Sequence, residues 1–255
     1  MNQRLDQALT TRGLARSRTL AASWIRDGRV SVNGSPSTKP SLKVSDEDHL
    51  EVAASAADEY VSRAGHKLAG ALDTFTEIDP TGLRCLDAGA STGGFTDVLL
   101  RRGAREVIAV DVGHDQLVAE LRLDERVRVF EGLNVRYMTP EQVGGPADLT
   151  VCDLSFISLT LVTDALGRAT KDGGDVLFMV KPQFEVGVDN ISRTGVVTSE
   201  RERRRAVDGV TAAAEKASLE VIGRVESPLP GQDGNVEFFV WCRKRSSAQR
   251  VGSLA

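Results

Sequence analysis

Nowhere does the sequence hold an apolar run approaching the roughly 20 residues of a membrane span, and its first residues are polar where a signal peptide needs an apolar stretch. A spanning or exported protein is therefore not expected, and a cytoplasmic one is. Cysteine is scarce: Cys85, Cys152 and Cys242 cannot all pair with one another, and each sits in an apolar, strand-like run. That argues against a disulfide framework and for reduced thiols in the core. The three histidines lie away from the cysteines, so no metal site is expected. Internal repeats and low-complexity tracts are missing too, as is the G-x-G-x-x-G loop of pyridine-nucleotide enzymes. What remains, 255 residues of which 41% are hydrophobic and 27% charged, suits one large domain or a medium one beside a small one.

Charge is unevenly placed along the chain. Eight Lys/Arg in residues 1–45 stand against Asp6 and Asp27, a net +6, so the rest of a chain whose total is −4 carries −10. Leu5, Leu9 and Leu14 outline a first helix and the turn after it. Ser17 is placed to cap a second helix that carries Leu20, Trp24 and Ile25 and ends at Gly28. Val30-Ser31-Val32 leads into Asn33-Gly34, a hairpin signal, and residues 42–44 and 50–52 add short strands. The stretches RLDQAL, GLARSRTLAASWIRDGRVSVNG and SLKVSDEDHLEV resemble the S4-type RNA-binding domain, also called the alpha-L motif. The resemblance implies that Arg4, Arg12, Arg16, Ser17, Arg18 and Arg26 face structured RNA, where phosphate and shape are read in place of base edges. For any one of these arginines, a solvated surface charge is the plainer reading.

A second pattern starts at Ser62. Leu68, Leu72 and Phe75, at i, i+4 and i+7, predict an amphipathic helix. Strands are then expected over 84–87, 107–111, 127–130, 149–153, 176–181, 221–225 and 237–242, with helices over 94–102, 116–123, 159–169 and 199–216. Such alternation predicts a doubly wound α/β sheet whose ligands sit at the carboxyl ends of its strands. The expected divisions are 1–57 for the small domain, 58–62 for a linker, 63–245 for the α/β domain and 246–255 for a tail.

At the end of the first of these strands stands LDAGASTGGFT. Its glycines allow tight turning and close approach to a ligand, and the helix that follows aims its amides there. An acidic residue before the glycines would repel a pyrophosphate, so Asp87 suits a cationic ligand such as the amino-acid end of S-adenosylmethionine. Asp111, 22 residues after Gly89 at the end of the next strand, suits a ribose. The plainer alternative is that the two aspartates merely cap a turn and a helix.

The segments VSRAGHKL, CLDAGASTGGFTDVLL, VDVG, CDLSFISL, VKPQFEVG and SPLPGQDGNVEFF resemble the FtsJ-type ribose 2'-O-methyltransferases. With the N-terminal domain, the whole is similar to the TlyA family of rRNA 2'-O-methyltransferases, sometimes labelled hemolysins. The resemblance implies a Rossmann-like class I methyltransferase fold with a seven-stranded, mostly parallel sheet, S-adenosylmethionine as cofactor, and cytidine riboses of ribosomal RNA or ribosomal subunits as target. It implies a catalytic tetrad of Lys67, Asp153, Lys181 and Glu237. For the cofactor it implies Asp87, Gly89, Ala90, Ser91, Thr92, Gly93, Gly94, Phe95, Asp111, Val112, Asn134, Asp153 and Leu154. A monomer that engages neither DNA nor membrane is expected.

A ribose hydroxyl must lose its proton as it attacks a methyl group in line. A lysine takes that proton only when desolvation or a neighbouring positive charge brings it toward the operating pH. The expectation is that Lys181 is the base, assisted by Lys67, with Asp153 and Glu237 orienting the two amines. Singly, Lys67 reads as a solvated helix lysine, Glu237 as a strand-end charge and Asp153 as a helix cap. Base-amino methylation would ask for an Asn/Asp-Pro-Pro-aromatic motif where the chain has DLSF, and carbon-5 methylation for a nucleophilic cysteine, whereas Cys152 should face the core. Residues 183–198 read as a lid, and Arg201, Arg203, Arg204 and Arg205 either as phosphate contacts or as a solvated face. The linker reads Asp58-Glu59-Tyr60, where related proteins can carry a basic residue and tryptophan. A non-catalytic ribosome-assembly factor and a membrane-active hemolysin are the alternative functions.

Overall fold

In the computed structural model, which describes residues 2–55, 58–187, 191–231 and 233–246, Leu5, Ala8 and Leu9 lie at helical spacing on α1 (Leu5–Thr11) and are fully buried. They pack with Ala21 and Ile25 of α2 (Arg18–Arg26), whose N-terminus is capped by the Ser17 hydroxyl accepting from Leu20 N. Leu14, on the turn after α1, is 40% exposed, and Ala15 fills the core behind it. Short strands complete this unit. β1 (Gln3–Arg4) pairs with β4 (Lys43–Val44), and β2 (Val30–Val32) lies between β3 (Ser35–Ser37) and β5 (Leu50–Val52).

The chain divides between Glu59 and Tyr60, inside the stretch expected as a linker. Each side of that division is fastened to its own unit. Arg29 stacks over Trp24 at 5.1 Å and pairs with Asp58 on one side. On the other, the Tyr60 ring meets His66 and Arg101, and Val61 N donates to Asp97 Oδ2 at 2.9 Å. Residues 247–255 of the expected tail lie outside the described residues, as do 188–190 of the expected lid.

The second unit opens with α3 (Arg63–Thr74) and then alternates. The strands β6 (Arg84–Ala88), β7 (Glu106–Val110), β8 (Val127–Phe130), β9 (Ala147–Cys152), β10 (Thr170–Val180), β11 (Leu219–Glu226) and β12 (Phe238–Lys244) form one sheet in the order β11-β12-β10-β9-β6-β7-β8. Five-residue β6, an interior strand between β9 and β7, is buried along its whole length, as a strand covered on both faces must be. Alternate residues divide between the faces. Cys85, Val107, Val151, Leu177 and Phe239 pack with α3 and α4 (Gly94–Arg101), while Leu86, Ile108, Cys152, Phe178 and Val240 pack with α6 (Thr163–Arg168) and α7 (Glu200–Lys216). β12 runs antiparallel to both neighbours, because no helix crosses over between β11 and β12 to reverse the chain again.

Three elements differ from the sequence expectation. The helix expected over 116–123 shrinks to α5 (Ala119–Arg122), and that over 159–169 begins as a 3-10 turn before α6. β10 starts earlier, at Thr170, because Gly173-Gly174 form an irregularity inside the strand and do not bound it. All three cysteines are free and buried, and burial pushes the Cys85 and Cys242 thiols up to about 12. Cys152 lies in the core beneath α6 and α7. No described helix is long and apolar enough to cross a membrane.

Candidate active site

Two loops at the carboxyl ends of β6 and β9 close on each other. Gly89, at φ +91°, donates to Val110 O at 2.8 Å, and a Cβ there would lie 2.5 Å from the Asp153 carbonyl oxygen. Only glycine permits this approach. Asp153 N in turn donates to Ala88 O at 3.0 Å, and Asp111 accepts from the amides of Ser91 and Gly113 at 2.8 and 2.7 Å. Asp111 thereby shapes the glycine loop as well as lining the cavity beside it.

That cavity, of about 560 Å3, is walled by Gly89, Ser91, Asp111, Val112, Asn134, Asp153 and Leu154 together with Gln116 and Phe156. Its size is that of a small-molecule site. Asn134 also caps the turn after it, accepting from Arg136 N at 3.0 Å. A smaller adjoining cavity is lined by Ala90, Thr92, Gly94 and Phe95, again with Gly89, Ser91 and Asp153, and by Ser155 and Lys181. Gly93 is not among the lining residues of either: at φ +101° it turns the chain into α4, and its face packs on Leu117 and Leu121.

Asp87 lies beneath the loop, fully buried. Thr96 Oγ1 donates to its Oδ2 at 2.6 Å, whereas Oδ1 is buried without a hydrogen-bond partner. Burial pushes this carboxyl up to about 7, opposed by the Thr96 bond and reinforced by the negative charges of Asp153 and Asp111. A cationic group brought to the open oxygen would satisfy it, so the residues fit a ligand carrying an ammonium. Because the folded pKa lies above the unfolded value of 3.8, the protein holds a proton that the unfolded chain has released. Asp87's contribution to stability is thus full below about pH 4 and lost as pH rises through about 7. Thermal melts of the ligand-free protein between these limits should show stability falling with pH, and Asp87→Asn should flatten that fall.

A third cavity, of about 550 Å3, opens beside the second. Lys67, Lys181 and Glu237 line it with Arg63, Ser155 and Phe156. Lys67 projects from α3 and donates to Glu237 Oε2 at 2.6 Å; the two residues are 8% and 2% exposed. Lys181 follows β10, where Pro182 stops the strand, and its Nζ lies 2.6 Å from Asp153 Oδ1 and donates to Ser155 Oγ at 2.9 Å. The structure thus sets the four tetrad positions as two ion pairs, one buried and one at the junction of the cavities.

Sequence reasoning missed Ser155, although it stands inside the DLSF stretch, because a lone serine carries no charge signal. It also missed Phe156, which is 91% exposed at φ +63° with its ring 5.2 Å from Phe184, and Gln116, which accepts from Ser91 Oγ at 3.2 Å. Glu185 was missed as well. It accepts from Ser158 Oγ and Leu159 N, tying the loop after β9 to the turn after β10, and burial raises its carboxyl above the usual range.

In the N-terminal unit the six expected RNA-facing residues have distinct situations. Arg16, Arg18 and Arg26 are exposed. Arg4 and Arg18 share Asp6, whose carboxyl their hydrogen bonds lower, Arg4 foremost. The Arg12 guanidinium is spent on the carbonyls of Ser45 and Asp48, both at 2.6 Å, and Ser17 serves as a helix cap. On α7, Arg204 pairs with Glu200, Arg205 with Glu202, and Arg203 donates to Val197 O, so these arginines are held by neighbouring groups.

Residues 60–244 match the FtsJ-like methyltransferase family, and residues 3–50 match the S4 domain. The chain is 50% identical to a 16S/23S rRNA (cytidine-2'-O)-methyltransferase, TlyA, of Mycobacterium tuberculosis, covering 95% of this chain and 90% of that protein. It is 36% identical to Hemolysin A of Brachyspira hyodysenteriae, over 92% and 98% of the two. Among solved structures, one from Streptococcus thermophilus that carries a hemolysin name aligns with a TM-score of 0.76 at 39% identity, covering 96% of this chain and 90% of that one.

Proposed function

Because the chain belongs to the FtsJ-like methyltransferase family, in its TlyA branch, we propose that it methylates the 2'-hydroxyl of cytidine in ribosomal RNA, in the cytoplasm and as a monomer. The cofactor is S-adenosylmethionine, which when bound supplies an electrophilic methyl group. The observation that carries the reading is the placement of Lys67, Glu237 and Lys181 on a cavity that adjoins the glycine-loop cavity, where Asp153 pairs with Lys181. Asp111 and Asn134 would hold the nucleoside part and Asp87 the ammonium, with Gly89 giving the backbone room to approach. Proton release on cofactor binding near pH 6, measured by calorimetry in two buffers, would report ionisation of Asp87 and should vanish in Asp87→Asn.

In the third cavity, Lys181 would act as the base for the ribose hydroxyl. Asp153 would hold its charge, and Lys67–Glu237 lines the same cavity. Arg16, Arg18 and Arg26, on the exposed surface of the S4 unit, are the arginines we assign to RNA phosphates; Arg12 acts by holding its own domain together. The test is incubation with labelled S-adenosylmethionine and unmethylated ribosomal subunits, followed by mapping of 2'-O-methylation by primer extension. Stops at cytidine riboses are expected. Label on a base, or RNA binding without any methyl incorporation, would overturn the proposal, the latter in favour of an assembly factor.

A further inference from the structure

We propose that Ser155 is a positioning residue for Lys181, directing the amine toward the substrate. This rests on the reading of Lys181 as the base. Ser155 lines all three cavities of the site, and its hydroxyl accepts from Lys181 Nζ at 2.9 Å. Asp153 Oδ1 is nearer to Nζ, at 2.6 Å, yet lies out of line for a hydrogen bond with it. Asp153 therefore supplies charge with little directionality, and Ser155 supplies direction.

The consequence follows from the valence of nitrogen. A neutral amine has two N–H bonds and one lone pair in a tetrahedral set. With one N–H fixed on Ser155 and the Asp153 carboxylate beside Nζ but out of line for a hydrogen bond, the lone pair is confined to directions off the Ser155 bond. When the ribose hydroxyl gives up its proton, the O–H bond breaks, an N–H bond forms on that lone pair, and the resulting ammonium retains both earlier contacts. Without Ser155 the four-carbon stem of Lys181 leaves Nζ free to rotate around Asp153, and productive orientations become rare.

Ser155 is exposed and follows the last residue of β9 by three positions, so its replacement leaves the core intact. Ser155→Ala should lower kcat on the order of 10- to 100-fold while KM for RNA and Kd for S-adenosylmethionine stay within about twofold. Ser155→Thr, which keeps the hydroxyl, should recover most of the rate. In a Lys181→Met background, Ser155→Ala should cost nothing further, since its effect passes through the amine. The proposal fails if Ser155→Ala turns over at the wild-type rate while Lys181→Met is inactive, if its loss adds in full to that of Lys181→Met, or if KM or Kd carries the effect. Should Lys181→Met itself keep full activity, the base assignment falls and this inference with it.

Discussion

Lys181→Ala is expected to lower kcat by about 10²- to 10⁴-fold, with cofactor and RNA binding retained. The lysine stands at the carboxyl edge of the sheet, its side chain 12% exposed, against Asp153 and Ser155. It lines the cavity of Lys67 and Glu237 as well as the smaller one at the glycine loop, so its nitrogen can meet a hydroxyl that enters between them. Removal leaves alignment of the two substrates in place, and the residual rate should measure what alignment alone provides. Single-turnover rates with prebound RNA and cofactor separate this from weakened binding. A wild-type single-turnover rate would remove Lys181 from the chemistry.

Glu237→Ala should be the most damaging of the tetrad substitutions to stability, by about 3–5 kcal/mol, because it leaves the Lys67 ammonium buried without its partner. The mechanism differs from that of Lys181, whose position is more open. A double variant, Lys67→Met with Glu237→Leu, removes both charges and should recover most of the lost stability in urea unfolding, yet remain deficient in methyl transfer. Recovery of activity along with stability would mean that the pair only supports the fold. If the single variant melts like the wild type, water reaches the pair and it is not a buried bridge.

Much of the order of elements was written in local pattern. The apolar runs ending in Asp87, Asp153 and Lys181, and the glycines after the first of them, are short-range signals of buried parallel strands followed by ligand-binding turns. One strand boundary failed. The strand expected over 176–181 begins at Thr170, because Gly173-Gly174 take part in an irregularity that depends on pairing with β9. Burial on one face or another is decided by which neighbours arrive, and no single segment carries that information.

By itself the sequence determined the charge-divided, two-part organisation, the strand–loop–helix order and the residue types offered at each strand end, because these depend on composition and on periodicities of two and 3.6. Tertiary structure decided how those residues are used. Lys67 is 170 positions from Glu237, and only the packing of α3 near the start of β12 makes them a buried pair. Asp87 is a surface-type residue by chemistry, yet the fold closes over it and raises its pKa to about 7. Ser155 carries no signal in one dimension; it matters because two strands adjoining in the sheet, β9 and β10, bring its hydroxyl to Lys181. Distance, burial and direction between residues far apart in the chain arise from packing, and the chemistry of this site depends on all three.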